Sequence, residues 1–459
     1  MSSLKVLVGS ANLGNAKPNP ISLHAWIPDD GDCQQVLQHQ KYPLQSADIS
    51  VPGGAKSSNR SQQKRFDLIV IGLQESTFEV VPSTEHNATD HVTSTEEEDA
   101  TTDSTRKDDK SNQRQESTTK PAPDSKKAKS KGSKLRKVAK VTQKVATFVA
   151  SRDHTDTTTK AAEVLPDGTN ALHDMLAQRL PSYQRILSFQ RGEMRLLIYA
   201  RLDDQNAKQE INSNTTTTTR GNMHSVQVRS VRAQNTGVAG LANKGGIVAE
   251  VVVNEGTVLS FVTCHLEAHE GIDKFATRCS TMGDILRGTT QKGCYPDVSL
   301  ASHFCFVLGD LNFRTRYQGH VHYEDQINDV QKLVADCNWE ELNAADELQM
   351  ALHKKLCLYG FQTLSCHFPP TFKMERRPGY TYKENRTPSY TDRILWKTGD
   401  RLEENITPLC YEPVDDFETS DHKPVRGAFE IQLNNHLRLR GRHLGYVRAL
   451  FLEVHEYEF

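Results

Sequence analysis

FCFVLGDLN, at Phe304–Asn312, is the segment in which an apolar run meets a cluster of polar residues. Phe304–Leu308 is short and rich in aromatic and branched side chains, a pattern that predicts a buried strand. Asp310 and Asn312 follow at once, where loops carried by a rigid sheet commonly place functional groups. The segment therefore predicts a core strand that ends in a polar site.

Other apolar runs along the chain have the same form. Each is short and is followed by turn or polar residues, at Leu4–Val8, Phe66–Ile71, Met194–Tyr199, Ile247–Val253, Val258–His265, Ile394–Trp396 and Val425–Ile431. Helical patterns lie between them, around Lys274–Arg287 and Glu341–Leu356. The 459 residues are enough for one large domain of helices and strands, or for two ordinary ones.

Composition narrows the class of protein. The net charge of -2 gives no overall field toward a polyanion, so we expect no nucleic-acid partner. The nine cysteines form no CxxC pair, which indicates free thiols and a cytoplasmic location. No apolar run approaches the roughly 18 residues of a membrane span, and no secretory leader is evident.

Polar inserts account for the low hydrophobic fraction of 36%. Residues 79–166 and 203–222 are too polar to bury much apolar surface, so we predict disordered insertions there. Within the first, Lys134–Ala150 has a basic amphipathic pattern, and peripheral membrane contact or a solvated lysine-rich segment would both explain it. We expect a catalytic domain over residues 1–433, followed by an extension over 434–459 of unknown role.

Polar residues follow several predicted strands. They are Asn12, Glu75, His265, Asp310, Asn312, Asp421 and His422. Any one of them alone is more often a turn former, a solvated loop residue or a structural histidine. Together they supply carboxylates, amides and histidines, the mixture needed to hold a hard cation and to activate a water.

The ordered motifs resemble those of the inositol polyphosphate 5-phosphatases, in the endonuclease/exonuclease/phosphatase superfamily. The motifs are GLQE, NKGG, TCHLEAHE, LGDLNFR, FPPTFK, PSYTDRILW and SDHKPV. GDLN and SDH also occur in nucleases and sphingomyelinases of the superfamily, whereas NKGG, FPPTFK and PSYTDRILW are more specific. The resemblance implies an α+β fold, in which two mixed β-sheets pack as a sandwich flanked by helices.

The resemblance also implies roles for the residues at the strand ends. Glu75 is expected to be the main carboxylate ligand of Mg²⁺, with Asn12 completing the shell directly or through water. Asp310 is expected to orient the attacking water and act as base, while Asn312 and His265 contact phosphate oxygens. His422 is expected to stabilise charge on the transferring phosphoryl group, with Asp421 holding its imidazole tautomer.

Substrate selection is expected to lie in the more specific motifs. Lys373 and Arg386 match the family's pair of cations for the neighbouring 4-phosphate, with Lys383 and Tyr380 as additional candidates. Asn243 and Lys244 of NKGG are further candidates for substrate binding. Asp392 and Arg393 are expected to brace their loop. Phe372 stands where the family usually has a tyrosine, which removes one expected donor to the 4-phosphate.

These features predict Mg²⁺-dependent removal of the 5-phosphate from phosphoinositide lipids, such as phosphatidylinositol 4,5-bisphosphate, or from soluble inositol polyphosphates. We expect a monomer. The alternatives are a nuclease of the same superfamily, which would need a basic stripe along the nucleic-acid backbone, and an inactive scaffold that binds phosphoinositides.

Overall fold

The structure of the protein is a computed structural model that describes residues 2–45, 64–77, 167–202, 224–237, 243–289, 296–317, 322 and 324–433. All of these residues belong to one compact unit. The predicted insertions at 79–166 and 203–222, the amphipathic segment 134–150 and the extension 434–459 lie outside the described residues.

The described strands form two mixed sheets. In chain order they are β1 (Ser2–Asn12), β2 (Leu68–Gln74), β3 (Tyr183–Arg191), β4 (Met194–Arg201), β5 (Val226–Asn235), β6 (Gly245–Val253), β7 (Thr257–His265), β8 (Phe304–Asp310), β9 (Asp392–Thr398), β10 (Ile406–Pro413) and β11 (Val425–Leu433). The first sheet has the order β10-β11-β1-β2-β4-β3, and the second has the order β5-β6-β7-β8-β9. Parallel pairing joins β1 to β2 and β7 to β8.

The core has three layers because the strand side chains alternate in direction. Val6 and Val8 of β1 lie in the central cluster, where they meet Phe261 and Phe306 of the second sheet. The intervening Leu7 faces the opposite way, into an outer cluster. The central strands are therefore buried on both faces, which explains their nearly continuous apolar sequences.

Helices flank the sheets, most of them on the outer faces, while the helices that carry Val330 and Leu342 pack against the central cluster. The helices are α1 (Pro20–Trp26), α2 (Cys33–Leu37), α3 (Asp167–Arg179), α4 (Ile272–Gly288), α5 (Ile327–Ala335), α6 (Trp339–Ala344) and α7 (Glu347–His353). In α4 the buried residues Phe275, Met282 and Ile285 recur at helical spacing and pack on the second sheet. Among the described helices, none combines the length and the apolar composition that a membrane span requires.

The predicted fold class is confirmed, and each predicted strand is present. The three strands that the apolar pattern missed, β3, β5 and β10, all lie at sheet edges. Two of them, β3 and β5, bury less of their surface, and their sequences are correspondingly polar. β10 also contains Pro408 and Pro413, residues that a sheet tolerates mainly at its edge.

The helix predicted at Glu341–Leu356 is two helices, α6 and α7. The break lies at Asp346, whose side chain accepts hydrogen bonds from the backbone N–H groups of Leu348 and Gln349 and so caps α7. The same carboxylate pairs with buried Arg393 at 2.6 Å. A tertiary ion pair thus fixes a boundary that the local sequence pattern does not mark.

Gly309 is required for the close approach of β7 and β8. Its φ of +146° is unfavourable for residues with a side chain. A Cβ at this position would lie 2.1 Å from the carbonyl oxygen of Cys264 on β7. The glycine of GDLN therefore allows Asp310 to pair in register with His265.

Candidate active site

The polar residues that follow the strands meet at one end of the sandwich. Asn12 ends β1, and Glu75 follows β2, its parallel neighbour. In the second sheet, His265 pairs in register with Asp310, and Asp310 pairs with Asp392 across the antiparallel β8–β9 ladder. The structure therefore brings together the side chains that the strand-end pattern singled out.

Asn12 bridges two carboxylates from different sheets. Its Nδ2 donates to Glu75 Oε1 at 3.2 Å and to Asp310 Oδ2 at 3.0 Å. Its Oδ1 accepts from the backbone N–H of Gly14 at 2.9 Å, which sets the orientation of the amide. In this orientation Asn12 fixes the spacing of the two acids and does not present its oxygen to them.

His265 and Lys244 place side-chain nitrogen atoms against these acids. His265 Nε2 lies 3.4 Å from Asp310 Oδ2 and 3.8 Å from Glu75 Oε1, and the amino group of Lys244 contacts the same ring nitrogen. Burial lowers the pKa of Lys244 despite the opposing effect of Asp310 and Glu75. Asn243 precedes it in the chain, and its enclosed Oδ1 has no hydrogen-bond partner among the described residues.

Asp310 is buried but ionised. Burial acts to raise the pKa of Asp310, but the hydrogen bond from His265 and the positive charges of His422 and Lys244 outweigh it. The net effect holds the pKa of Asp310 well below its usual range. The carboxylate is therefore a hydrogen-bond acceptor at neutral pH.

Asn312 is held in place through its backbone and its side chain. Its φ of 57° lies in the left-handed region, which asparagine tolerates better than most residues. The backbone N–H donates to Asp310 Oδ1 at 3.1 Å, and Nδ2 donates to the carbonyl oxygen of Leu266 at 3.1 Å. One hydrogen of the amide group is left over for a ligand.

The carboxylate that orients His422 is Asp392, and the prediction that Asp421 does so is wrong. His422 Nδ1 lies 2.9 Å from Asp392 Oδ2, which also accepts from the hydroxyl of Thr371 at 2.8 Å. Burial alone would lower the pKa of His422, but the charge and hydrogen bond of Asp392, aided by Asp310 and Asp421, raise it to about 9. The imidazole is therefore protonated at neutral pH.

Asp421 lies in a bend, and its ion-pair contact is with a different residue. Its Oδ2 lies 3.6 Å from Lys373 Nζ. Asp421 thus borders the loop that carries the predicted substrate cations.

That loop joins the site through Phe372. The Phe372 ring lies 4.5 Å from the His422 ring, and the neighbouring Lys373 side chain is 30% exposed. Backbone hydrogen bonds from Lys383 N to Lys373 O and from Arg386 N to Lys383 O bring the backbones of the three cationic residues close together. In the part of the chain that the structure describes, the side chains of Lys383 and Arg386 have no protein acceptor, which leaves them available to an anionic ligand.

Tyr380 has a different role from the one predicted. Its hydroxyl donates to Asp415 Oδ1 at 2.8 Å, so its only hydrogen is committed within the protein. Lys423 reinforces the same region, since its amino group donates to the carbonyl oxygens of Arg377, Asp415 and Phe417. Tyr380 therefore supports the loop rather than offering a donor to phosphate.

The donor set fits a hard divalent cation. Glu75 and Asp310 bring two carboxylates to Asn12, and oxygen ligands of this kind suit Mg²⁺. Ligand atoms of Asp310, Asp392 and His422 also lie within 4.8 Å of one another. A protonated His422 is a poor metal ligand. The pair Glu75 and Asp310 therefore suits a divalent cation better than the group Asp310, Asp392 and His422.

The sequence analysis expected Asp392 only to brace its loop and missed its contact with His422, because the search for site residues considered strand ends only. Asp392 begins β9, and β9 runs antiparallel to β8, so its first residue lies beside the last residue of β8. Glu193 was also missed, in the turn between β3 and β4. Burial and the nearby charge of Glu75 raise the pKa of Glu193.

Comparisons with known proteins agree with this architecture. The family model described as "Endonuclease/Exonuclease/phosphatase family 2" matches residues 12–428. Curated relatives include phosphatidylinositol 3,4,5-trisphosphate 5-phosphatase 2B of Danio rerio, 34% identical over 204 residues, which are 42% of this chain and 16% of that protein. Phosphatidylinositol 3,4,5-trisphosphate 5-phosphatase 2 of Homo sapiens is 34% identical over 216 residues, 44% of this chain and 16% of that protein. The matches thus span about a sixth of the length of these relatives.

Solved structures give weaker overall matches. The inositol polyphosphate 5-phosphatase domain of a synaptojanin, in complex with inositol (1,4)-bisphosphate and calcium, is 16% identical with a TM-score of 0.49, over 99% of this chain and 90% of that one. A Cimex nitrophorin is 17% identical with a TM-score of 0.48, over 94% of this chain and 100% of that one.

The match from residue 12 to residue 428 extends over the two sheets and includes the strand-end residues from Asn12 to His422. It agrees with the resemblance drawn from the sequence motifs. The chain therefore belongs to the endonuclease/exonuclease/phosphatase family 2.

Proposed function

We propose that this protein hydrolyses the 5-phosphate of a phosphorylated inositol, as a lipid headgroup or as a soluble inositol polyphosphate. The observation that carries the proposal is that two groups of residues, one acidic and one cationic, meet at His422. The acids around Asn12 lie at the same strand ends as His422, and the cationic loop beginning at Lys373 contacts His422 through Phe372. The relatives named as phosphatidylinositol 3,4,5-trisphosphate 5-phosphatases support the choice of substrate class.

The proposed chemistry assigns a task to each polar group. Asp310 is ionised and accepts a hydrogen bond from the attacking water. Its strongly lowered pKa favours orienting the water over strong proton abstraction. The free amide hydrogen of Asn312 and the protonated ring of His422 donate to oxygens of the transferring phosphoryl group.

We infer that Mg²⁺ would be held by Glu75 and Asp310, with Asn12 fixing their spacing. Bound there, the cation would neutralise phosphate charge that otherwise repels the incoming water. Lys373 and Arg386 are proposed to bind the neighbouring ring phosphate, as a point charge and as a bidentate donor respectively.

A phosphate-release assay tests the proposal directly. Lipid and soluble inositol phosphates, with and without a 5-phosphate, are incubated with the full chain, with and without Mg²⁺. We expect release only from 5-phosphorylated substrates and only with Mg²⁺. Asp310→Ala should reduce the rate by at least about a hundredfold.

Asp284→Ala is the matched control, because Asp284 is an exposed carboxylate on α4 that pairs with Arg287. It should retain the wild-type rate. Near-full activity of Asp310→Ala would contradict the mechanism. Salt-sensitive cleavage of single-stranded or abasic DNA would favour a nuclease, and lipid binding without turnover would favour a scaffold.

A further inference from the structure

Arg314, at the end of the LGDLNFR motif, grips Asn312 at two points. It is buried, with Nε donating to the backbone oxygen of Asn312 at 3.1 Å and Nη2 donating to Asn312 Oδ1 at 2.6 Å. Since Oδ1 is held by Arg314, Nδ2 must point the other way, toward Leu266 O and the site. The orientation of the Asn312 amide is therefore determined by an arginine two residues away.

The same guanidinium lies over the ring that packs against His422. Arg314 Cζ lies 4.6 Å from the centroid of Phe372, and the Phe372 ring lies 4.5 Å from that of His422 at an interplanar angle of 39°. Arg314, Phe372 and His422 form a continuous series of flat groups, which we term the Arg314 stack. Its two ends reach Asn312 and His422, the two groups proposed to donate to the phosphoryl oxygens.

The backbone of Arg314 is held by a buried ion pair. Its backbone N–H donates to Glu347 Oε2 at 2.9 Å, and Glu347 pairs with Arg278 at 2.6 Å. Both side chains of this ion pair are buried, with exposures of 0% and 2%. Arg278 also donates to the carbonyl oxygen of His269 at 2.8 Å, in the loop that follows His265.

We propose that Arg314 is a positioning residue that fixes Asn312 and His422 relative to each other through the Arg314 stack. A planar group with several donors is needed, because the same side chain must bind two oxygens of Asn312 and lie over a ring. A lysine cannot do both. Stabilisation of the transferring group depends on donors held in place before reaction. The role of the stack in turnover rests on the proposed phosphatase function, whereas its hold on the Asn312 amide does not.

Kinetics of single and double variants test the proposal. Arg314→Lys should lower kcat by about ten- to a hundredfold with little change in KM, since loss of one preorganised donor costs about a hundredfold or more. In an Asn312→Ala background the same change should lower kcat by a clearly smaller factor, because the Asn312 amide is gone and only the contact of Arg314 with Phe372 is left to lose. A KM effect, or equal losses in both backgrounds, would overturn the proposal.

Arg179→Lys is the matched control. Arg179 also donates through Nε to a backbone oxygen, of Ile27, and through Nη1 to a side-chain oxygen, of Asp29, but it lies on α3 and does not contact the site residues named above. It should leave kcat unchanged. Should the Arg314 variants not fold, Phe372→Leu removes the ring from the middle of the stack, and its loss of kcat should be non-additive with that of His422→Ala.

A second measurement does not require turnover. The side-chain amide signal of Asn312 in ¹⁵N-labelled protein, assigned by its absence in Asn312→Ala, should shift and exchange its hydrogens faster in Arg314→Lys but not in Arg179→Lys. An unchanged signal in Arg314→Lys would overturn the positioning role. If the wild-type chain releases no phosphate while this signal responds as expected, the proposed function fails and the hold of Arg314 on Asn312 stands.

Discussion

Replacing Asp392 by asparagine should move the alkaline limit of activity to lower pH. The pKa of His422 is raised to about 9, so the protonated ring is favoured in the folded protein and its contribution is lost as the pH rises through that value. The nearest source of this shift is Asp392 Oδ2, 2.9 Å from His422 Nδ1. Removing an opposite charge at such a distance typically changes a pKa by about one to three units.

The loss of rate in Asp392→Asn should depend on pH, and this dependence identifies the protonation of His422 as its cause. For a shift of about two units, the protonated fraction of His422 at pH 8 falls from about nine-tenths to about one-tenth. The rate at pH 8 should then fall about tenfold further than the rate at pH 6, where the ring stays protonated in both proteins. Initial rates of phosphate release at saturating substrate, measured from pH 5.5 to pH 9.5, provide the comparison.

Asp421→Asn is the informative control. Asp421 is a weaker source of the same shift and makes its ion-pair contact with Lys373, so its removal should move the alkaline limit much less. A uniform loss of rate for Asp392→Asn across the whole pH range, with the limit still near pH 9, would refute the reasoning. A larger shift for Asp421→Asn than for Asp392→Asn would do the same.

Three other changes have defined outcomes. Phe372→Tyr adds a hydroxyl beside Lys373, and one further hydrogen bond of about 1 kcal/mol should lower KM about fivefold for substrates with a 4-phosphate but not for those without it. Lys373→Ala should raise KM about tenfold for the same 4-phosphorylated substrates, with little effect on kcat; equal effects on substrates with and without that group would contradict it. Asp346→Ala leaves buried Arg393 without its ion-pair partner and should lower the free energy of unfolding by about 3–5 kcal/mol, measured by urea denaturation, whereas a loss below about 1 kcal/mol would show that the pair is unimportant.

The sequence was sufficient for the interior of the fold. Strands such as β1 and β8 carry apolar side chains on both faces, so their identity follows from local composition. The edge strands β3, β5 and β10 were missed because polar and proline residues at a sheet edge depend on what the rest of the sheet leaves uncovered. Their place is a property of the assembled sandwich.

The candidate site divides in the same way. A polar residue directly after a buried strand lies at the end of a sheet, so Asn12, Glu75, His265 and Asp310 could be identified from the sequence and do lie together. Contacts between segments distant in the chain could not be identified in this manner.

Only the tertiary structure decided which acid orients the His422 ring. Asp421 is adjacent in sequence, but Asp392, thirty positions away, makes the hydrogen bond. The tertiary structure also committed the Tyr380 hydroxyl to Asp415 and placed Arg314 between Asn312 and Phe372. The sequence by itself thus determined which residue types gather at the strand ends, because burial and strand periodicity are local properties of the chain. The pairing of those residues was decided by the folded sandwich, because a hydrogen bond depends on the distance and direction of side chains that only packing brings together.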